Sequence, residues 1–211
     1  MIVAIDGPAG AGKSTVARRL AERLGYRYLD TGAMYRALTW LALREALPLG
    51  EGAALGDLAR RYPVVFDEAG RVFIDDADVT SAIRKSQIDR VVPVVARHHE
   101  VRQVMRERQR DLGYVGDVVI EGRDIGTVVA PDADVKVYLQ ANPEIRAARR
   151  QAERPDIGAD ALATDLRTRD ASDRERMQPA PDAVRIDTTD LEVEDVVERI
   201  VGLVEALPAR P

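Results

Sequence analysis

The sequence predicts a three-layer α/β fold with a central parallel sheet of five strands. Strand-like and helix-like segments alternate along most of the 211 residues, which is the pattern of a parallel sheet covered by helices on both faces. Hydrophobic residues make up 45% of the chain and charged residues 32%, so the chain can bury a core and keep a polar surface. The length suits one domain with insertions better than two independent domains.

The predicted elements follow one another in a regular order. Short runs rich in branched and aromatic residues indicate strands at 2–6, 26–30, 117–122, 135–141 and 184–189. Apolar residues at helical spacing indicate helices over 13–24, 32–47 and 193–207. Pro48 ends the second of these helices, because proline cannot continue a helix. In a sheet of this kind, ligands bind at the carboxyl ends of the strands.

Two regions interrupt the alternation. Residues 62–80 predict a hairpin that turns at Glu68–Gly70 and continues into an irregular piece. This region has no helix of its own to join a parallel sheet, so we interpret it as a small insertion. Residues 150–181 are dense in arginine and aspartate and bounded by prolines, and we interpret them as a mobile arm or lid.

The composition argues against several classes of function. A net charge of −5 gives no basic field for nucleic acid, and an aromatic content of 4% argues against base stacking. The chain has no cysteine for disulfides or thiolate metal sites. No apolar run has membrane-spanning length, and the N-terminus lacks the basic region of a signal peptide. We therefore expect a cytoplasmic monomer without nucleic-acid or membrane partners, with His98 and His99 at the surface and Trp40 in the core.

Residues 7–14, GPAGAGKS, match the nucleotide-binding pattern G-x-x-x-x-G-K-[S/T] between a strand and a helix. Glycines let successive backbone N–H groups surround a phosphate, and the helix N-terminus adds partial positive charge. Lys13, one of only three lysines among 31 basic residues, is suited to reach the β- and γ-phosphates of ATP, and the Ser14 hydroxyl is suited to bind Mg²⁺. The predicted ATP-binding residues are Gly7, Pro8, Ala9, Gly10, Ala11, Gly12, Lys13, Ser14 and Thr15.

A phosphate-binding loop of this kind leaves two classes of function open. A switch or motor would hydrolyse the nucleotide, whereas a kinase would transfer the γ-phosphoryl group to a small molecule. GTP-reading switches usually carry an N-K-x-D segment, which this sequence lacks, so a kinase is favoured. UMP, AMP or a small alcohol would be alternative acceptors for a kinase of this fold.

Polar residues follow the second and third predicted strands, where an acceptor would bind. The segment DTGAMYR provides Thr31, Tyr35 and Arg36, and the segment EGRDIG provides Arg123 and Asp124. The two arginines are able to converge on one anion, reinforced by a helix N-terminus. Taken alone, Arg36 is also compatible with a solvated helix surface, and Arg123–Asp124 with an ion pair in a turn.

Six segments, in this order, resemble the bacterial cytidylate kinase family: AIDGPAGAGKST, YLDTGAMYRALTW, DVTSAIR, VR…RQR, EGRDIGTVVAPDADVKVYL and RDASDRERMQPAPDA. The resemblance extends from Ile2 to about Thr189. It implies a P-loop kinase that transfers the γ-phosphoryl group of ATP to CMP or dCMP with Mg²⁺. It also implies one nucleoside monophosphate (NMP) kinase domain, with core segments 1–60, 100–150 and 181–211, an NMP-binding insertion at about 60–100 and a lid at about 150–180.

The resemblance assigns roles to individual residues around the acceptor. Arg123 would neutralise the phosphate of CMP, while Asp124 accepts a hydrogen bond from the cytosine 4-amino group, a donor that uracil lacks. Arg102 would bind the neighbouring base acceptors N3 and O2. A serine that contacts the cytosine in relatives aligns with Pro93, which removes one hydroxyl contact. No general base is required, because the attacking phosphate oxygen is mostly deprotonated at neutral pH.

The predicted lid completes the set of site residues. Arg169, Asp173 and Arg176 are spaced i, i+4 and i+7, which places them on one face of a helix, although such charge runs are also typical of solvated faces. The resemblance implies that Arg169 and Asp173 contact the ribose and that Arg176 binds phosphate when the lid closes. The predicted catalytic residues are Lys13, Arg123 and Arg176. The predicted CMP-binding residues are Thr31, Tyr35, Arg36, Arg102, Arg123, Asp124, Arg169, Asp173 and Arg176.

Overall fold

The chain forms two units in the computed structural model, which describes residues 1–155, 157–173 and 177–208, without the side chains of residues 169, 172 and 173. Unit 1 comprises residues 1–29 and 113–211, and unit 2 comprises residues 30–112. The strands are β1 (Ile2–Asp6), β2 (Arg27–Asp30), β3 (Val65–Phe66), β4 (Val72–Ile74), β5 (Ala77–Asp78), β6 (Val118–Glu121), β7 (Val135–Gln140) and β8 (Val184–Asp187). The helices are α1 (Lys13–Leu24), α2 (Thr31–Arg44), α3 (Gly52–Arg61), α4 (Ser86–Ala96), α5 (His99–Gly113), α6 (Pro143–Glu153), α7 (Ala159–Asp173) and α8 (Val193–Glu205).

The predicted five-stranded parallel sheet is confirmed, with the strand order β2-β6-β1-β7-β8. The strands β1 and β6 are apolar over nearly their whole length, because helices cover both faces of a parallel sheet. The third inner strand, β7, alternates buried residues with more exposed ones. Every residue of β1 and of β6 is buried. The register pairs Val3 with Val119 on one side and with Val135 on the other. This register brings the ends of β1 and β6 side by side at the carboxyl edge of the sheet.

The core of unit 1 lies between the sheet and the helices α1 and α8. It contains fully buried side chains from β1, α1, β7 and α8, among them Ile5, Leu20, Leu139 and Ile200. The amphipathic spacing that predicted α1 and α8 is the reason that these helices bury one face each. The core therefore holds the loop between β1 and α1 on a rigid base.

Unit 2 contains a small antiparallel sheet of three strands, in the order β3-β4-β5. The predicted hairpin is confirmed, since Val65 pairs with Phe73 and the turn contains Gly70 at φ 73°. The piece after the hairpin is more regular than expected, because β5 pairs with β4 and a 3₁₀ turn follows at Ala82–Arg84. The helices α2 and α4 pack together, and α2 also packs against β4.

Several sequence-based expectations are refined by the structure. The second helix ends at Arg44, ahead of Pro48, because Ala46 adopts the left-handed φ of 52°. Trp40 is only half-buried, with the Arg44 guanidinium 5.1 Å from its ring centre. His99 is exposed, but the expectation for His98 was wrong: its ring is half-buried and Nε2 lies 2.8 Å from the Leu49 carbonyl oxygen.

In its described part, the predicted arm at 150–181 contains the end of α6 and the whole of α7. The division of the chain into core, NMP-binding insertion and lid stays a prediction. Across the described ranges, no helix combines the length and the apolar character needed to cross a membrane.

Candidate active site

The loop between β1 and α1 has the backbone that a phosphate cradle requires. Gly7, Gly10 and Gly12 adopt φ values of 147°, 76° and 87°, which residues with a side chain rarely adopt. A Cβ at Gly7 would lie 2.1 Å from the Leu139 carbonyl oxygen, so a side chain cannot fit there. The N-cap residue of α1 is Gly12, which has no side chain to accept the first helical N–H groups. These N–H groups therefore point to an anion site.

Lys13 lies over this loop and is held by it. Its Nζ donates a hydrogen bond to the Pro8 carbonyl oxygen at 2.8 Å. The ammonium group thus carries a compact positive charge directly above the backbone that would surround the phosphates. This position agrees with the role that the sequence pattern predicts for Lys13.

Ser14 contacts a carboxylate to which sequence reasoning gave no role. The Ser14 hydroxyl donates to Oε2 of Glu121 at 2.9 Å. Glu121 ends β6 and is only 4% exposed, and its other oxygen accepts a hydrogen bond from the Tyr28 hydroxyl. A hydroxyl and a carboxylate are the hard oxygen ligands that Mg²⁺ prefers beside nucleotide phosphates. The signal in the sequence was a carboxylate at the end of an otherwise apolar strand.

Asp6, also missed by the sequence analysis, fixes the turn that follows Asp124. Its Oδ1 accepts from the Ile125 N–H and its Oδ2 from the Gly126 N–H, each at 2.8 Å. These two N–H groups begin a π-helical turn over Ile125–Val129. Asp6 is 6% exposed, so both of its oxygens are used inside the protein. The last residue of β1 thereby positions the segment that carries the predicted acceptor-binding pair.

Arg123 lies directly beside the glycine loop, and Asp124 follows it in the chain. The Arg123 Nη1 donates to the Gly7 carbonyl oxygen at 3.3 Å and contacts the Met177 Sδ at 3.2 Å. Asp124 is half-buried at the start of the π-helical turn, and its side chain does not cap that turn. The Arg123 guanidinium therefore reaches the glycine loop, which is a contact beyond the turn that carries this residue.

Burial raises the pKa of Asp6 to about 6, opposed by the hydrogen bonds from Gly126 and Ile125. Because the folded state then binds the proton more tightly than the unfolded state, stability is gained as the pH falls below 6 and lost as it rises through 6. Asp6→Asn has no such titration. The free energy of unfolding of the wild-type protein, minus that of Asp6→Asn, should therefore be about 1 kcal/mol lower at pH 7.5 than at pH 5.0. Urea unfolding of both proteins at the two pH values measures this; a constant difference would contradict it.

Two arginines of α6 line the other side of the loop. Arg146, only 7% exposed, donates to the Ala9 carbonyl oxygen at 3.1 Å and forms a bidentate pair with Asp170 of α7. Arg149 donates to the Thr188 hydroxyl at 2.9 Å, and that hydroxyl lies 3.2 Å from the Ala11 carbonyl oxygen. Neither arginine was singled out from the sequence. Both guanidinium groups lie beside the loop, and the charge of Arg146 is paired there with that of Asp170.

A cavity of about 650 Å³ opens next to Thr188, at the carboxyl ends of β7 and β8. Its lining consists of Gln140, Ala141, Asn142, Asp187, Thr189, Asp190, Leu191 and Arg199. This is the edge of a parallel sheet at which ligands generally bind.

In unit 2, the buried carboxylate of Asp30 organises the start of α2. Its Oδ1 accepts from the Ala33 N–H at 2.8 Å, which caps the helix, and its Oδ2 accepts from Arg36 and Arg84 at 2.8 Å each. Burial would raise the pKa of Asp30, but the charges of Arg36 and Arg84 overcome this and hold the pKa below its ordinary value. Arg36 is thus not a solvated surface residue, since its side chain is 18% exposed and ion-paired.

The remaining predicted site residues lie on helices. Thr31 is buried at the start of α2, and Tyr35 packs partly buried against the core of unit 2. Arg102 is half-buried on α5, and Pro93 lies inside α4. Arg169 and Asp173 belong to the backbone of α7, but their side chains lie outside the described residues, as does the whole of Arg176.

Comparison with known proteins gives a consistent result along the chain. Residues 3–206 match the family model described as cytidylate kinase. The cytidylate kinase of Shouchella clausii is 46% identical, with 96% of this chain and 95% of that protein covered. The cytidylate kinase of Bacillus subtilis is 44% identical, with 96% of each covered.

Solved structures are similar in fold at low identity. A shikimate kinase from Bacteroides thetaiotaomicron has a TM-score of 0.52 at 17% identity, covering 97% of this chain and 98% of that one. A gluconokinase from Sinorhizobium meliloti has a TM-score of 0.54 at 14% identity, covering 96% and 91%. Likeness at these identities shows the fold alone.

Proposed function

The chain belongs to the cytidylate kinase family, and we propose that it transfers the γ-phosphoryl group of ATP to CMP or dCMP with the residues described above. The products are ADP and CDP or dCDP. The observation that carries this assignment is the complete phosphate loop, with Lys13 bound above it, in a chain that matches the family over residues 3–206.

ATP is the phosphoryl donor, and its phosphates would bind the loop from Gly7 to Thr15. The uncapped N–H groups at the start of α1 and the Lys13 ammonium support this placement. Arg149 adds positive charge next to Thr188 and Ala11, where it would offset the charge of a triphosphate.

Ser14 and Glu121 would hold Mg²⁺, since they bring a hydroxyl and a carboxylate together at 2.9 Å beside the phosphate loop. When bound, the ion neutralises charge on the β- and γ-phosphates. Burial and the hydrogen bond from the Tyr28 hydroxyl hold the Glu121 carboxylate in place. The fold of the chain itself therefore positions this carboxylate next to the Ser14 hydroxyl.

CMP would bind through the residues that the family resemblance assigns to the acceptor. Arg123 and Arg36 would contact its phosphate, with Thr31 and Tyr35 near Arg36 on α2.

Asp124 would accept a hydrogen bond from the cytosine 4-amino group, and Arg102 would bind N3 and O2 of the base. Pro93 offers no hydroxyl, so Asp124 and Arg102 carry the base selection. Arg169 and Asp173 would contact the ribose, and Arg176 the phosphate.

The chemical problem is to bring two polyanions together. The attacking group is a phosphate oxygen that needs no general base, because the second pKa of a phosphate monoester is near 6. Lys13, Arg123 and Arg176 would therefore act through charge, by reducing repulsion and stabilising the transferring phosphoryl group. Closure of the predicted lid would exclude water, which would otherwise accept that group.

ADP release measured with CMP, dCMP, UMP, AMP and shikimate as acceptors tests this function. We expect release with CMP and dCMP and far less with the others. A switch would instead hydrolyse ATP without any acceptor, and preference for another acceptor would overturn the CMP assignment.

The cytoplasmic location and the monomeric state stay predictions, and size-exclusion chromatography of the purified protein tests the second.

A further inference from the structure

We propose that Arg84 is a second residue that binds the phosphate of the acceptor nucleotide, paired with Arg36 through the buried carboxylate of Asp30. This inference rests on the proposed function, because it deepens the role given there to Arg36. Neither the sequence pattern nor the family resemblance assigned a role to Arg84.

The geometry places the two guanidinium groups together. Arg36 Nη2 and Arg84 Nη2 each lie 2.8 Å from the same oxygen, Oδ2 of Asp30. The two nitrogens are therefore separated by at most twice that distance. A phosphate that binds Arg36 would have several terminal oxygens, and one of them would lie within reach of Arg84.

The charges of this cluster do not cancel. Asp30 supplies one negative charge, while Arg36 and Arg84 supply two positive charges, so the three groups together carry one net positive charge. A guanidinium has five N–H donors in a planar fork, so a contact with Asp30 through Nη2 is compatible with a second anion on the same group. Two arginines beside one another are well suited to a phosphate dianion.

The start of α2 is shaped to admit such an anion. Asp30 is the N-cap residue, so the partial positive charge of the helix N-terminus is added to that of the arginines. Gly32 lies in the first turn, and a Cβ there would be 3.0 Å from Arg36 Nη1 and 3.1 Å from Asp30 Oδ1. A larger residue would thus crowd the space between the carboxylate and the guanidinium.

The position of Arg84 is fixed by the fold, although its side chain remains accessible. It follows the fully buried Ile83 in the 3₁₀ turn of unit 2, and the Ile83 N–H donates to the Val79 carbonyl oxygen at 2.9 Å. Its side chain is 46% exposed, against 6% for Asp30. This exposure leaves the Arg84 guanidinium accessible to a ligand while it is paired with the buried Asp30.

Steady-state kinetics of Arg84→Ala test the proposal. We expect KM for CMP to rise about 10-fold to 100-fold, the range for losing a hydrogen bond to a charged group. KM for ATP should change less than about twofold, because ATP binds elsewhere. Arg60→Ala is the matched control, since it removes an exposed arginine–aspartate pair of the same unit, with Asp57 at 2.8 Å, and should leave both constants unchanged.

Calorimetric binding of CMP and of cytidine separates a phosphate contact from a structural role. Arg84→Ala should weaken CMP but not cytidine, which lacks the phosphate. An equal loss for both ligands, or an unchanged affinity for CMP, would overturn the proposal. Arg84→Lys keeps the charge without the planar fork and should give an intermediate loss, so it serves as the test if Arg84→Ala does not fold.

The wild-type protein distinguishes this inference from the proposed function. If wild-type protein releases no ADP with CMP, the proposed function fails, whatever Arg84 does. If the wild type phosphorylates CMP and Arg84→Ala matches it in KM and affinity, only the role of Arg84 fails.

Discussion

Lys13→Ala is expected to lower kcat for CMP phosphorylation by about a thousandfold, the upper range for removing one group that stabilises transition-state charge. The Lys13 ammonium lies 2.8 Å from the Pro8 carbonyl oxygen, directly over the phosphate loop. The remaining two lysines have other surroundings, because Lys136 Nζ donates to Asp182 at 2.8 Å and Lys85 is exposed in unit 2. Initial rates at saturating ATP and CMP measure the effect.

Two further variants test whether the loss arises from the position of this charge. Lys85→Ala removes an exposed lysine and should keep wild-type turnover. Lys13→Arg keeps the charge but replaces a compact ammonium by a larger planar group, so it should remain strongly impaired. Turnover of Lys13→Ala within tenfold of the wild type would contradict the role of the loop in phosphoryl transfer.

Asp124→Asn is expected to reduce kcat/KM for CMP by about a hundredfold while leaving UMP unaffected or improved. The carboxylate only accepts hydrogen bonds and therefore suits the 4-amino group of cytosine, whereas the amide can also donate to the 4-carbonyl of uracil. Because the Asp124 side chain does not cap the following turn, its replacement removes no helix cap. Rates with CMP and UMP in parallel give the change in preference.

The control for Asp124 is an aspartate of the same unit with a known partner. Asp182→Asn removes an exposed carboxylate that pairs with Lys136 at 2.8 Å, and it should leave the ratio of CMP to UMP rates unchanged. KM for ATP should stay the same in both variants. Equal losses of CMP and ATP binding in Asp124→Asn would mean that Asp124 acts through the fold and not on the base.

The sequence by itself determined the parts of this protein that depend on local geometry. The bounds of β1 and α1 agree with the prediction, because apolar spacing and the glycines at positive φ act within a few residues. The hairpin at Gly70 was predictable for the same reason. The alternation of strands and helices, with the family resemblance, then located Arg123 and Asp124 after one strand and Lys13 in the loop that follows another.

Only the tertiary structure decided which charged groups meet. Glu121 contacts Ser14 across 107 positions in the chain, Asp6 binds the Gly126 N–H across 120, and Arg84 reaches Asp30 across 54. An aspartate or arginine in a sequence shows its charge but not its partner, because the partner depends on strand order, register and the burial of neighbouring residues. The choice of partners for buried charges is therefore a property of the folded chain, since an unpaired charge is costly only where packing has excluded water.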